Sequence, residues 1–206
     1  MRSILRIDSS SRVTGSQSRM LGDHFETRWT RTRPDGRIVR RDLAADPIEQ
    51  IRAETIAGFY TPSEEMTPEL RSATALSDRL ITEIQAADTL LITVPIYNFS
   101  VPAGLKAWID QVVRIGHTFA YDGTSFSGLA RPETAVVCAA YGAAGYEQGG
   151  PFRAANFLEP YLEFLLTFLG VRTVHAVSVQ ATTTDPATVE AAMSRARSEI
   201  DRLFAS

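Results

Sequence analysis

Three short stretches of this chain carry groups better suited to holding a ligand than to filling a core. The first is Ser9-Ser10-Ser11-Arg12-Val13-Thr14-Gly15-Ser16-Gln17-Ser18, six hydroxyls and a glycine leading into a helix-forming segment. A helix start offers unbonded N–H groups and the positive end of its dipole, so a hydroxyl-rich approach to one makes a cradle for phosphate. The three spaced glycines of a dinucleotide fingerprint are missing, as is the Gly-Lys-Ser/Thr loop of nucleoside triphosphatases. A glycine-poor loop of this kind suits a compact terminal phosphate better than a pyrophosphate. A polar turn ending in a capping serine has the same composition.

The second stretch is Pro95-Ile96-Tyr97-Asn98-Phe99-Ser100-Val101-Pro102. Its two aromatics offer flat apolar contact to a ring, and the amide between them can donate and accept at a ring edge; core aromatics at a strand exit are the alternative. The third is Ala140-Tyr141-Gly142-Ala143-Ala144-Gly145-Tyr146, with Gln148-Gly149-Gly150-Pro151 behind it. Small residues let a backbone approach a ligand and aim N–H groups at it, although a flexible surface connection would read the same way.

Other reactive groups are sparse. His24 falls on a helix, His117 in a long loop and His175 in a strand, none beside an evident nucleophile. Gly123-Thr124-Ser125-Phe126-Ser127 lacks the final glycine of a nucleophile elbow. The one cysteine, Cys138, sits in an apolar run and reads as buried and inert. It also excludes an internal disulfide and any multi-cysteine zinc or iron–sulfur centre, so no metal is expected.

The elements that must position these loops follow from the hydrophobic pattern. Apolar runs at Ser3–Asp8, Thr89–Val94, Thr134–Ala139 and Val174–Val179 suit strands covered on both faces, and the polar run Arg37–Asp42 suits a charged edge strand. Helix-like segments fill the gaps: from Ser16 to about Trp29, from Thr67-Pro68-Glu69 through Ile84, from about Pro102 to Arg114, from about Asn156 to Leu169, and from Asp185-Pro186 to Phe204. Ala44–Pro68 reads as an insertion, helical around Ile48–Ile56, and residues 116–131 as a long functional loop or small hairpin. The alternation predicts one α/β domain over residues 1–206, a doubly wound, five-stranded parallel sheet of the flavodoxin-like order 2-1-3-4-5. Ligands of such sheets bind beyond the carboxyl ends of strands where the order reverses. The three stretches follow strands 1, 3 and 4. Together they ask for a phosphate at the first loop and a planar polar ring between the other two, which is the shape of flavin mononucleotide (FMN).

Composition sets the outer bounds. The 206 residues are 44% hydrophobic and 22% charged, the balance of an ordinary globular protein rather than a disordered one. No apolar run approaches the roughly twenty residues of a membrane span, and Ile4-Leu5, broken by Arg6, makes no signal peptide; a cytoplasmic protein is the simplest expectation. The net charge of −3 names no partner. An excess of arginine before residue 42 could attract an anion or nucleic acid, but its scatter fits a solvated helix face and strand edge, so no nucleic-acid partner is expected.

With these residues in place, the chain resembles the FMN-dependent NADH-azoreductases, a flavodoxin-like family of quinone and azo reductases. The resemblance runs over essentially the whole chain. It is carried by Ser9-Ser10 and Ser16-Gln17-Ser18, Arg41-Asp42-Leu43-Ala44, Pro95-x-Tyr97-Asn98-Phe99 with Leu105-Lys106, Thr118-Phe119-x-Tyr121, and Pro160-Tyr161-Leu162. It implies non-covalent FMN, NADH or NADPH as electron donor, a quinone or azo compound as acceptor, and a homodimer with two sites at the interface. Ser10, Ser16, Gln17 and Ser18 would hold the phosphate side. Ile96, Tyr97, Asn98, Phe99, Ala140, Tyr141, Gly142 and Ala143 would hold the isoalloxazine. The expected reaction is a two-electron, ping-pong hydride transfer in which the cofactor does the chemistry, with Tyr121 and Tyr141 as substrate contacts.

One departure stands out. Where the family has Ser-Arg-Gly-Gly, this chain has Ala140-Tyr141-Gly142-Ala143, and a positive φ at the last position would strain the alanine by roughly 1 kcal/mol or more. Apolar residues on the helices around 102–114 and 156–169, among them Trp108, Ile109, Val112, Val113, Phe157, Leu158, Phe164, Leu165, Leu166 and Phe168, exceed what one sheet face needs and point to a dimer interface. Two other classes remain in view: a flavodoxin-type electron carrier, against which the mild charge argues, and a serine-cluster hydrolase, which lacks a partnered histidine.

Overall fold

A computed structural model describes residues 2–205. Its central sheet is built from β1 (Ser3–Asp8), β2 (Arg37–Asp42), β3 (Thr89–Pro95), β6 (Thr134–Ala140) and β7 (Thr173–Val179), all parallel and ordered β2-β1-β3-β6-β7. Counted along the parallel strands this is the expected 2-1-3-4-5 arrangement. β4 (Phe119–Tyr121) and β5 (Phe126–Gly128) form a separate antiparallel hairpin.

Helices cover both faces, which is why the inner strands could be apolar without alternation. Ile4, Leu91, Val136, Cys138 and Val177 pack with Leu21, Phe25 and Trp29 of α1 (Gln17–Thr32) and Met193 and Ile200 of α6 (Pro186–Arg202). Leu5, Leu90, Ile92, Ala135 and Val137 meet the other side, made by α3 (Pro68–Gln85), α4 (Ala103–Val112) and α5 (Glu159–Phe168). The edge strand β2 is guarded by ion pairs, Arg40 with Glu26 and Arg41 with Glu83 and Asp46.

Several boundaries differ from the sequence reading. The insertion is helical not at 48–56 but at α2 (Ala53–Tyr60), followed by a 3₁₀ turn at Ser63–Glu65. Ile48 is drawn into the core, Gln111 Nε2 holds the Glu49 carbonyl at 2.9 Å, and the helix starts only where Thr55 Oγ1 can accept from the Arg52 N–H. α5 begins at Glu159 rather than Asn156, because Asn156 is buried outside the helix and accepts the Glu159 N–H on its side chain. The 116–131 segment is the small hairpin. It seats on the end of α5 where Gly128 meets Gly170: a Cβ on Gly128 would lie 2.1 Å from the Gly170 nitrogen, and Ala130 N–H bonds the Leu169 carbonyl at 2.9 Å.

The apolar excess on the two helices is largely absorbed inside this one chain. Trp108, Ile109, Val112, Leu158, Leu165 and Leu166 are all buried in the core. Phe157 and Phe164 remain exposed, and Phe164 stacks on Phe168.

Candidate functional site

The carboxyl ends of β1, β3, β6 and β7 open onto one cleft of about 240 Å³. Its wall runs from Ser10, Arg12, Ser16 and Gln17 through Pro95, Ile96 and Tyr97 to Ala140, Gly142, Thr182 and Thr183. A larger cavity of about 620 Å³ lies between the insertion and α3. No strand-end loop of the switch point reaches it, and acidic residues such as Asp46, Glu49, Glu54 and Glu69 dominate its charge. The cleft at the strand ends therefore joins the residues that the sequence singled out.

In the first loop, Ser9 is structural: its hydroxyl and its N–H both bond the Thr93 carbonyl, at 2.8 and 3.0 Å. Ser10 is buried and its hydroxyl accepts the Arg12 N–H. Gly15, at φ +67°, makes the turn toward α1. Ser16 occupies the capping position of α1, yet its hydroxyl makes no capping bond and pairs instead with the buried Ser18 hydroxyl at 3.2 Å. The intrahelical ladder opens with Met20 N–H to the Ser16 carbonyl. Among the described residues, the N–H groups of Gln17, Ser18 and Arg19 thus have no backbone acceptor. An uncapped helix start with its serines paired to each other is what a bound anion would complete.

Beneath this loop lies a buried carboxylate, Asp8. It accepts from Thr93 Oγ1 at 2.7 Å and pairs with Arg6 at 3.0 Å. Arg6, held above its ordinary range by Asp8 and Asp23 despite its burial, reaches Glu26 as well. The negative charge under the loop is therefore compensated.

The second loop is a tight turn in which Tyr97 and Ser100 exchange both backbone hydrogen bonds, at 3.0 and 3.1 Å. Its central residues, Asn98 at φ 48° and Phe99 at φ 75°, both take left-handed conformations. Two adjacent non-glycine residues of this kind cost of order 1–3 kcal/mol each and concentrate at functional sites. The strain holds Tyr97 and Phe99 out of the core, 39% and 52% exposed. The Phe99 carbonyl ties the turn to Phe157 N–H at 3.1 Å.

The third loop is held from behind by the segment after β7. Thr182 N–H and hydroxyl both reach the Tyr141 carbonyl at 3.1 Å, and Thr183 N–H and hydroxyl reach the Gly142 carbonyl at 3.2 and 2.9 Å. Gln180 Oε1 accepts from Gly145 and Tyr146 N–H at 2.9 and 3.1 Å. In a trans peptide the C=O and the following N–H point opposite ways, so fixing these two carbonyls turns the Gly142 and Ala143 N–H groups away from β7. Ala143 is free of the expected strain. Among the described residues the positive-φ non-glycine positions are Asn98, Phe99 and Ala181, so alanine is an ordinary substitute at 143.

The cleft wall thus contains Ser10, Ser16, Gln17, Ile96, Tyr97, Ala140 and Gly142 of the residues singled out from sequence, while Asn98, Phe99 and Ala143 flank it and Ser18 lies buried behind Ser16. The reading of Tyr141 as a substrate contact is corrected. Its ring is fully buried against Tyr146, its hydroxyl points to Asn156 at 3.4 Å, and burial pushes its pKa up to about 12. Only its backbone belongs to the loop. Tyr121 lies on the hairpin, outside the cleft wall, with its hydroxyl bonded to the Gly123 carbonyl at 2.7 Å and its ring on Phe126. Arg12, Thr182 and Thr183 were missed as wall residues. The Thr182-Thr183-Thr184 run between a strand end and a helix cap was the available signal.

A hydrolytic arrangement is not formed by the histidines. His24 Nε2 is engaged by Asp201 at 2.8 Å, His117 follows α4, and His175 lies on β7. Burial of Cys138 raises its thiol to about 12, so it has no thiolate character. Among the described residues no cluster of three or more His, Cys, Asp or Glu could hold a metal.

A parallel sheet whose order reverses at a hydroxyl-and-amide cleft defines a doubly wound α/β protein with its ligand site at the strand ends. A family model described as a flavodoxin-like fold matches residues 2–204. An FMN-dependent NADH:quinone oxidoreductase of Xanthobacter autotrophicus is 56% identical over 84% of each chain, and one of Acidobacterium capsulatum is 43% identical over 88% of this chain and 87% of its own. The fold is shared with an azoreductase from Bacillus anthracis, with a TM-score of 0.89 at 22% identity over 99% of each chain. The chain belongs to the flavodoxin-like family, among the FMN-dependent NADH:quinone oxidoreductases.

Proposed function

We propose that this protein is an FMN-dependent NADH:quinone oxidoreductase that also accepts aromatic azo compounds. The observation that carries this reading is the cleft itself: an uncapped α1 start with hydroxyls beside it, a strained turn presenting two aromatic rings, and a backbone whose free N–H groups face away from β7. That donor set fits a group with a phosphate at one end and a flat polar ring at the other. When bound, FMN supplies the two-electron redox chemistry between nicotinamide and acceptor.

The chain's own residues bind, orient and exclude water. Ser10, Ser16, Gln17 and Ser18, with the first-turn N–H groups of α1, hold the phosphate. Ile96, Tyr97, Asn98 and Phe99 hold the ring on one side, and the backbone of Ala140–Ala143 holds its polar edge. The Gly142 and Ala143 N–H groups are fixed in advance by Thr182 and Thr183, so they stabilise negative charge at that edge without reorganising. No side chain in the cleft wall is placed as a general acid, and none is needed when water can supply protons.

A cleft of about 240 Å³ falls short of the roughly 300–1,000 Å³ of an enclosed small-molecule site. One chain therefore covers the cofactor only in part. The exposed aromatics Tyr121, Phe126 and Phe164, joined through Phe119 and Phe168, form an apolar surface of the kind that seats a partner. A second copy docked there completes the site and brings Tyr121 to the substrate.

Steady-state NADH oxidation tests the assignment. Purified protein with FMN is expected to turn over NADH with menadione or methyl red, and NADPH in parallel reports donor preference. A protein that takes up FMN but supports no turnover with either acceptor would instead be an electron carrier.

A further inference from the structure

Arg19 is a cation in the first turn of α1, where the helix dipole disfavours positive charge. It is nonetheless buried, with both terminal nitrogens engaged and Nε left without a partner. Its Nη1 and Nη2 grip the Asp42 carboxylate at 2.6 and 2.7 Å, and Nη2 also donates to the Ser10 carbonyl at 2.8 Å. Asp42, at the end of β2, further accepts from Ala44 and Ala45 N–H. The guanidinium fork thus joins three elements at one point: the helix, the neighbouring strand end and the loop after β1.

The consequence lies in the peptide it holds. The Ser10 carbonyl is drawn inward to Arg19, and across a trans peptide the Ser11 N–H must then point outward. Ser10 lines the cleft and Ser11 is exposed beside it. Asp8 lies 3.8 Å from the same guanidinium, so the clamp also stands between that carboxylate and the loop.

We propose that Arg19 is a positioning residue for phosphate recognition: with Asp42 it locks the Ser10–Ser11 peptide so that its N–H faces the cleft. This rests on the flavin reading above. A lysine keeps the charge but cannot bridge two acceptors in a planar fork.

The test separates phosphate recognition from general folding by using two flavins. Wild-type protein and the variants R19Q, R19K and D42N are freed of flavin and titrated with FMN and, separately, with riboflavin, following flavin fluorescence. R19Q and D42N are expected to raise the FMN Kd by about 10-fold or more, the effect of one lost hydrogen bond to a charged group, and to leave the riboflavin Kd within about 2-fold. R19K is expected to recover little of the loss. Equal losses for both flavins would make Arg19 merely structural and overturn the proposal. Full recovery in R19K, or tighter FMN binding in D42N, would overturn it in favour of a bare charge effect. Should R19Q fail to fold, R19K and D42N decide the matter by themselves. Wild-type protein that binds neither flavin would instead sink the functional reading on which the proposal stands.

Discussion

Replacing Ser16 by alanine separates a structural serine from a ligand-holding one. A serine that caps a helix through its side chain is worth about 1 kcal/mol to stability. Ser16 makes no such bond. Its hydroxyl meets only that of Ser18, at 3.2 Å, in a buried setting. Losing that contact costs about 0.5–1 kcal/mol, and each kcal/mol moves Tm by about 2–4 °C in a chain of this size. The protein without cofactor should therefore melt no more than about 4 °C below wild type. Binding should suffer far more. A hydrogen bond to a charged group is worth about 1.5–3 kcal/mol, so S16A should weaken FMN by a factor of about 12–150. Riboflavin, which lacks the phosphate, should bind within about 2-fold of wild type. Thermal melts and fluorescence titrations with both flavins read the two quantities independently. An FMN Kd within about 2-fold of wild type, or parallel losses for both flavins, would refute the placement of the phosphate at the start of α1.

Three further outcomes follow from the geometry. Ala181 is held at φ +60° behind the third loop, so A181G should raise Tm by about 2–4 °C through relief of roughly 1 kcal/mol of strain; an unchanged or lower Tm counts against that conformation. The Arg19 fork lowers the Asp42 pKa from its ordinary 3.8 to about 2. A depressed carboxylate stabilises the fold above its unfolded pKa, and that contribution disappears as pH falls from about 4 through about 2. D42N should lack this contribution, which solvent screening of the half-buried pair keeps modest: acid titration should cost D42N less stability than wild type over that window, and equal losses would contradict the assignment. Finally, the proposed dimer predicts that light scattering gives the mass of two chains for wild type and of one for F164R, which places a charge in the exposed aromatic surface; a dimer that survives the substitution would move the interface elsewhere, and a monomeric wild type would contradict the proposal.

The sheet was legible because continuous apolar runs such as Leu90–Val94 have few other places to go than a strand covered on both faces. The order of strands then pointed to the loops that matter. The hidden features depend on contacts distant in sequence. The insertion helix starts at Ala53 rather than earlier because Gln111, 62 residues from Glu49, holds the chain extended. Tyr141 reads as a loop tyrosine, and only Asn156 and Tyr146 show that its ring turns inward. The apolar load of α4 and α5 looked excessive from their sequences, yet the core beneath the sheet accommodates most of it and leaves Phe157 and Phe164 outside. Thr182 and Thr183 were overlooked since they follow β7, away from the point where the strand order reverses, although their carbonyl contacts orient the backbone at Gly142.

The most direct measurement is the visible spectrum of the protein after incubation with FMN and removal of unbound flavin. A cofactor held at the strand ends predicts the two-banded absorption of oxidised flavin co-eluting with the protein at one equivalent per chain, bleached on adding NADH and restored by menadione. Protein that elutes colourless after reconstitution would contradict the account.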